Sequence, residues 1–294
     1  MNTNRFIKFF LRLIFGANKA KFLEQPVFVV ACGRSGSTAL CNALGNHPQI
    51  LMANPEAPLV HYIGVMAYNY ACGDHARYHQ NCIAWDQGYF KRTLKFNCYT
   101  ASFGLDYGFS HSLSNRRKKN SVFSGGNALK YWSVKAFPNE AAAAGLIWLY
   151  PHAKFIYLFR NGMNVVQSMS KFGGFVKLDF ADRCRFWRSG VESYEFLKKH
   201  NRSITVRFED FLENPSKVFE KIYIHLDLAS HPGPAEYAST TLVHPLDKPT
   251  QRANPQEILK KRPGPHNSWT YKEKEKFKEI CAESMKTLGY EIPF

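Results

Sequence analysis

The sequence predicts an α/β fold: a single domain with a central parallel sheet flanked by helices on both faces. Three observations predict it. Short apolar runs recur along the chain, helical patterns separate them, and the first run breaks into a glycine-bearing loop before a helix. Strands alternating with helices give parallel pairing, because a parallel neighbour needs a crossover long enough to hold a helix.

The first run, residues 26–32, is continuously apolar, as a strand buried on both faces must be. "YWSVKAF" (131–137), "AKFIYLF" (153–159) and "SITVRF" (203–208) repeat that character. Helical patterns fall at 38–45, 139–149, 161–172, 181–199 and 215–226. Two segments break the rhythm. Residues 97–130 are rich in Gly, Ser and Asn and carry the basic run "NRRKKN", and residues 230–268 carry many prolines. Both read as long loops, which in compact domains serve as lids or binding segments. No internal repeat is present.

Residues 1–25 stand apart as a basic amphipathic segment, leaving 26–294 as the domain. Arg5, Lys8 and Arg12 share one helical face, with Phe6, Phe9, Phe10, Leu13 and Ile14 around the rest. Such a helix either lies on an anionic membrane surface or packs its aromatics on the domain. Charges interrupt its apolar run, so it is not a standard signal peptide, and no stretch reaches the roughly 18 apolar residues of a membrane span.

Lysine plus arginine number 39 against 23 aspartates plus glutamates, a formal charge of +16. That excess favours an anionic partner. The seven cysteines are scattered, with no CxxC pair, which argues against a disulfide framework and for a reducing, cytoplasmic compartment.

The chemistry concentrates in "VFVVACGRSGSTALCNALGNHP" (27–48). A strand end, a glycine loop and a helix N-terminus aim backbone N–H groups and a helix dipole at one point, which suits an anion. Gly33 and Gly36 allow unusual backbone angles and close approach, Arg34 and Ser35 lie between them, and Ser37 and Thr38 open the helix. The GxxxxGK[ST] loop of nucleotide-hydrolysing proteins is absent: the glycine spacing is short and Arg34 is the only cation. A metal-dependent P-loop kinase is thereby disfavoured. It would also need a magnesium-binding carboxylate at a neighbouring strand end, and none follows 131–136 or 153–159.

"GRSGST" resembles the 5′-phosphosulfate loop of sulfotransferases that use PAPS (3′-phosphoadenosine 5′-phosphosulfate), where family members carry PRSGTT or PKSGTT; Cys32 replaces the proline. Three further segments resemble the family in the same order. "FIYLFRNGMNVVQSMSK" resembles its 3′-phosphate segment, with Arg160 at a strand end and Ser168 eight residues on. "ITVRFEDFLENP" resembles its strand-and-turn segment. "RPGPHNSW" keeps the spacing of RKGxxGDW through Arg262, Gly264 and Trp269, while Pro263, Asn267 and Ser268 replace its lysine, glycine and aspartate. The resemblance implies a P-loop-NTPase-like sulfotransferase fold and sulfuryl transfer from PAPS to a hydroxyl or amine, with no metal required. Two separated anionic ends of the donor then need two basic pockets: the Arg34 loop for one, and Arg160, Ser168, Arg262 and Gly264 for the other.

Sulfuryl transfer needs charge stabilisation on the leaving phosphate and a base for the acceptor. Arg34 is one cation. Lys135 is the other, matching a catalytic lysine of the tyrosylprotein-type branch, with Lys130 as a nearby rival. The resemblance also implies Glu56, in "NHPQILMANPEAP", as the base; His47 is the runner-up. The acceptor is expected among residues 56–110, where Tyr62, Tyr68, Tyr70, Trp85, Tyr89, Phe90 and Tyr99 cluster, although most such aromatics belong to cores. A metabolite, lipid or glycan alcohol and a peptide tyrosine all remain open, and no nucleic-acid partner is expected. Outside the family pattern, Cys72, His75, His79 and Cys82 stand at spacings a zinc site could use, in an order no common zinc site has. The non-enzymatic alternative is a basic protein that binds membranes or polyanions through residues 5–15 and 116–119.

Overall fold

The computed structural model describes residues 23–53, 58–73, 87–103, 129–240 and 264–294. Within them the sheet has five parallel strands: β1 (Pro26–Val30), β2 (Ile50–Met52), β3 (Tyr131–Ala136), β4 (Lys154–Phe159) and β5 (Ser203–Arg207), in the order β2-β3-β1-β4-β5. All four strand pairs are parallel, with Val29 opposite Lys135 and Ile156. β1 is therefore central, and the chain fills one side of it before the other. That reversal opens a crevice at the carboxyl ends of β1, β3 and β4, where α/β sheets hold ligands.

Successive β1 residues face opposite layers, as the pleat requires. Phe28, Val30 and Cys32 join one core with Trp132, Tyr150, Phe155 and Trp187. Val27, Val29 and Ala31 join the other with Leu40, Ile156, Phe211 and Phe219. Being buried on both faces, β1 had to be apolar throughout.

The helices expected between strands form as α1 (Ser37–Leu44), α4 (Glu140–Leu149), α5 (Gly162–Met169), α6 (Phe180–Lys198) and α8 (Pro215–Leu226). Local chemistry sets their starts: Asn139, Asn161, Asp179 and Asn214 each accept a first-turn N–H. Elements the pattern did not mark are β2, α2 (Pro58–Ala71), α3 (Gln87–Phe103), α7 (Phe208–Glu213), α9 (Gly233–Thr240) and α10 (Tyr271–Thr287). Two expected loops are corrected in part. Residues 97–103 end α3 and 233–240 form α9, while 104–128 and 241–263 lie outside the described residues.

α2 crosses α4 at two glycines. A Cβ on Gly145 would stand 1.8 Å from the Gly64 carbonyl oxygen, and one on Gly64 would stand 2.5 Å from that of Ala142. Backbone rests on backbone there, which only glycine permits. Among the described residues no helix is long and apolar enough to cross a membrane. Residues 1–22, and with them all but the last three residues of the basic amphipathic segment, lie outside them.

Candidate active site

The loop after β1 sits between the carboxyl ends of β3 and β4. Its left-handed residues are Arg34 (φ 71°) and Gly36 (φ 93°). Gly33 is constrained by space instead, since a Cβ there would stand 2.6 Å from the Phe175 ring. Gly36 is the N-cap of α1 and, lacking a side chain, leaves the first-turn amides without a side-chain cap. Ser37 and Thr38 occupy the first two helical positions, and Ser35 and Ser37 are buried. An uncapped helix start under a left-handed turn suits an anion.

Arg34 reaches across to α5. Its Nε donates to Ser168 Oγ at 3.3 Å, and its guanidinium lies 3.8 Å from the centroid of the Phe172 ring. A cavity of about 610 Å³ opens beside this contact, lined by Arg34, Asn164, Gln167, Ser168, Lys171 and Phe172 and by residues 264, 265, 267 and 268. The loop, α5 and the segment around Gly264 thus share one pocket. The sequence reading missed Asn164, Gln167 and Lys171, although with Ser168 they occupy one face at i, i+3, i+4 and i+7. Stepping along the helix from Ser168 would have found them.

Arg160 does not line this cavity. Its Nη1 donates to the carbonyl of Arg34 at 3.1 Å, and its guanidinium stacks 4.7 Å from the Phe208 ring centroid. It meets the loop because β4 pairs directly with β1. Gly264 is at the cavity wall, and Trp269 anchors that wall: it is buried, and its Nε1 donates to Gln167 Oε1 at 2.7 Å. Arg262 lies outside the described residues.

On the other side of the loop, Lys135 is 8% exposed at the end of β3, with Nζ 5.3 Å from the Phe137 ring centroid. It lies near Cys32, whose thiol burial pushes up to about 12 against the opposing influence of Lys135. Cys32 is therefore no thiolate at neutral pH. The rival Lys130 pairs instead with Asp227 at 2.8 Å, before the first residue of β3 and so at the opposite, amino end of the strands.

Among candidate bases, Glu56 lies outside the described residues. His47 is buried near the amino end of β2, away from the loop. Its Nε2 lies 3.1 Å from the Ala229 carbonyl oxygen and its Nδ1 accepts from the Gln49 N–H. Burial lowers its pKa, so the ring stays neutral with both nitrogens engaged. Of the aromatics expected to line an acceptor pocket, Tyr70, Phe90 and Tyr99 belong to the core, whereas Tyr62 and Tyr89 are exposed. Cys72 is exposed, and its three companions in the zinc-like pattern lie outside the described residues.

No curated protein matches the chain significantly by sequence. Among solved structures, the sulfotransferase domain from the Synechococcus PCC 7002 olefin synthase is 17% identical, with 92% of this chain and 96% of that one covered and a TM-score of 0.56. Mouse sulfotransferase SULT7A1 complexed with PAP is 14% identical, with 90% and 85% covered and a TM-score of 0.50. At such identities these likenesses speak for the fold. The model of the sulfotransferase family matches residues 26–232, well over half the chain. With that match spanning the β1 loop, β3, β4 and α5, the chain belongs to the sulfotransferase family.

Proposed function

We propose that this enzyme transfers the sulfuryl group of PAPS to a hydroxyl acceptor by in-line displacement. The observation that carries the reading is the Arg34–Ser168 contact, which brings the β1 loop and α5 into one cavity holding Arg34 and Lys171. When bound, the donor supplies a sulfur–oxygen bond whose cleavage leaves adenosine 3′,5′-bisphosphate. The amides of residues 33–38 hold the 5′ end at the start of α1. Ser168, Arg160, Arg262 and Gly264 serve the 3′-phosphate, with Lys171 as a further cation. Arg160 acts on the loop carbonyl of Arg34 in the present arrangement and serves the phosphate by turning from it.

Arg34 and Lys135 oppose the negative charge that grows on the leaving oxygen. Lys135 is effective because it is nearly dry, and a fixed charge in a water-poor site acts more strongly than one in solvent. That charge supply makes a metal unnecessary. The sequence nominates Glu56 as proton acceptor. An acceptor with an apolar body fits Leu59, Tyr62 and Met66, exposed at i, i+3 and i+7 on one face of α2. We place the enzyme in the cytoplasm, with residues 5–15 as its membrane contact.

The test is transfer of labelled sulfate from PAPS to a pooled cell extract, with and without a chelator, products being identified by mass. Labelled products in both arms are expected. Activity lost in chelator and restored by magnesium would overturn the metal-free reading.

A further inference from the structure

His61 stands out against His47. His47 engages both ring nitrogens, whereas His61, like His225 and His266, leaves one buried nitrogen unbonded, and of these His61 is the one packed against Phe137 next to Lys135. The His61 ring is half-buried, and its Nδ1 is shut away from water with no hydrogen-bond partner among the described residues. Leaving a buried polar atom unbonded costs stability, so stability alone does not favour histidine here.

Its position is set by the fold. His61 lies one turn before Gly64, where α2 rests on α4, and α4 begins three residues after Phe137. The His61 ring meets the Phe137 ring edge-on at 6.2 Å between centroids, and Lys135 Nζ lies 5.3 Å from that same Phe137 ring. Ala31 N–H bonds the carbonyl of Ala136, so Phe137 is level with the start of the phosphate loop. His61, Phe137 and Lys135 therefore make a continuous wall beside the loop, with Tyr62 next to His61 on the exposed face of α2.

We propose that His61, in place of the Glu56 that the sequence nominates, is the general base for the acceptor, a role that rests on the sulfuryl-transfer reading above. The acceptor O–H proton passes to a ring nitrogen of His61 as the acceptor oxygen bonds to sulfur. The sulfur–oxygen bond to the 5′-phosphate breaks, and its electron pair leaves with adenosine 3′,5′-bisphosphate. Burial lowers the pKa of His61, which keeps the ring neutral and able to accept a proton at neutral pH. The ionisable groups that share its surroundings are Lys135, beyond Phe137, and Tyr62 on its own helix; Glu140 opens the helix that α2 rests on. α3 meets α2 at its far end, through Tyr70 and Phe90.

The experiment measures label transfer from PAPS to 1-octanol, to 4-nitrophenol and to water across pH 5–9, in the wild-type full chain and in His61→Ala, His61→Gln and Glu56→Gln. An alkanol needs a base, whereas 4-nitrophenol ionises unaided near neutrality. His61→Gln should lose roughly 10² to 10⁴ in turnover with 1-octanol and the acid limb of its pH profile, yet less than about tenfold with 4-nitrophenol. Imidazole in the buffer should restore part of the 1-octanol rate to His61→Ala, which a merely structural histidine would not allow. Retained thermal stabilisation by adenosine 3′,5′-bisphosphate shows that each variant is folded. A normal 1-octanol rate and acid limb in His61→Gln overturns His61 alone, as does their loss in Glu56→Gln only. A wild-type chain that releases no label to any acceptor, water included, overturns the donor reading and this role with it.

Discussion

Arg34 Nε donates to Ser168 Oγ at 3.3 Å, joining residues 134 positions apart. The contact closes the gap between a strand-to-helix loop and the last turn of a helix that follows a neighbouring strand. It exists because β4 pairs with β1, so that the chain leaving β4 must pass the loop. Arg34 thereby belongs to both ends of the cavity, and its charge couples them.

Nucleotide recognition follows from that coupling. Adenosine 3′,5′-bisphosphate should stabilise the fold by about 2.7 kcal/mol at a hundred times its dissociation constant, and AMP at the same concentration should raise the thermal midpoint less. The margin over AMP should vanish in Arg160→Ala. Lys171→Glu should weaken the bisphosphate roughly tenfold or more, since hydrogen bonds to charged groups contribute about 1.5–3 kcal/mol. Calorimetric titration checks both, and equal stabilisation by AMP in the wild type would refute the 3′-phosphate assignment.

Lys135 should be required for turnover and not for folding. Lys135→Ala is expected to lower kcat by roughly 10² to 10³, the usual cost of removing one preorganised stabilising group. Lys135→Arg should not restore it, because a planar fork does not fit a buried slot made for an ammonium. Single-turnover kinetics on folded protein reads this directly; near-normal turnover in Lys135→Ala would remove it from the mechanism.

The α2–α4 crossing makes a stability prediction. Gly145→Ala puts a methyl where a carbonyl oxygen already stands, so the helices must separate, at a cost of about 1–3 kcal/mol. Gly174→Ala, where a Cβ would meet nothing within 4 Å, should change stability by less than about 0.5 kcal/mol. Urea midpoints compare the two. Because His61 rides on that crossing, Gly145→Ala should also lower turnover.

Acid should destabilise the fold through its buried histidines. Burial, with help from Lys154, holds His225 down to about 4 from an ordinary value of 6.5, and burial lowers His47 as well. The unfolded chain then binds more protons than the folded one between those values. The stability is complete above pH 6.5, falls as the pH drops towards 4, and levels off below it. Urea midpoints taken from pH 7.5 to 4 should show this slope, shallower in His225→Gln; an unchanged slope would show that His225 does not carry it.

The sequence by itself determined the class of fold and the place of the anion loop, because both are written in short-range pattern. A strand buried on two faces must be continuously apolar, and a loop with Gly33 and Gly36 before Ser37 and Thr38 states its geometry locally. The arginine and serine at 160 and 168 were legible for the same reason. β2 was not, since three residues are too few to show a period, and α2 was not, since its long apolar composition blurs one. Only the tertiary structure decided which side chains share a wall. Strand order put Arg160 on the loop carbonyl, the turn that closes α5 brought Lys171 to the cavity, and contact between Gly64 and Gly145 set His61 against Phe137 beside Lys135. Those juxtapositions depend on strand order and on how closely two backbones approach, and residues far apart in the chain carry no local signal of either.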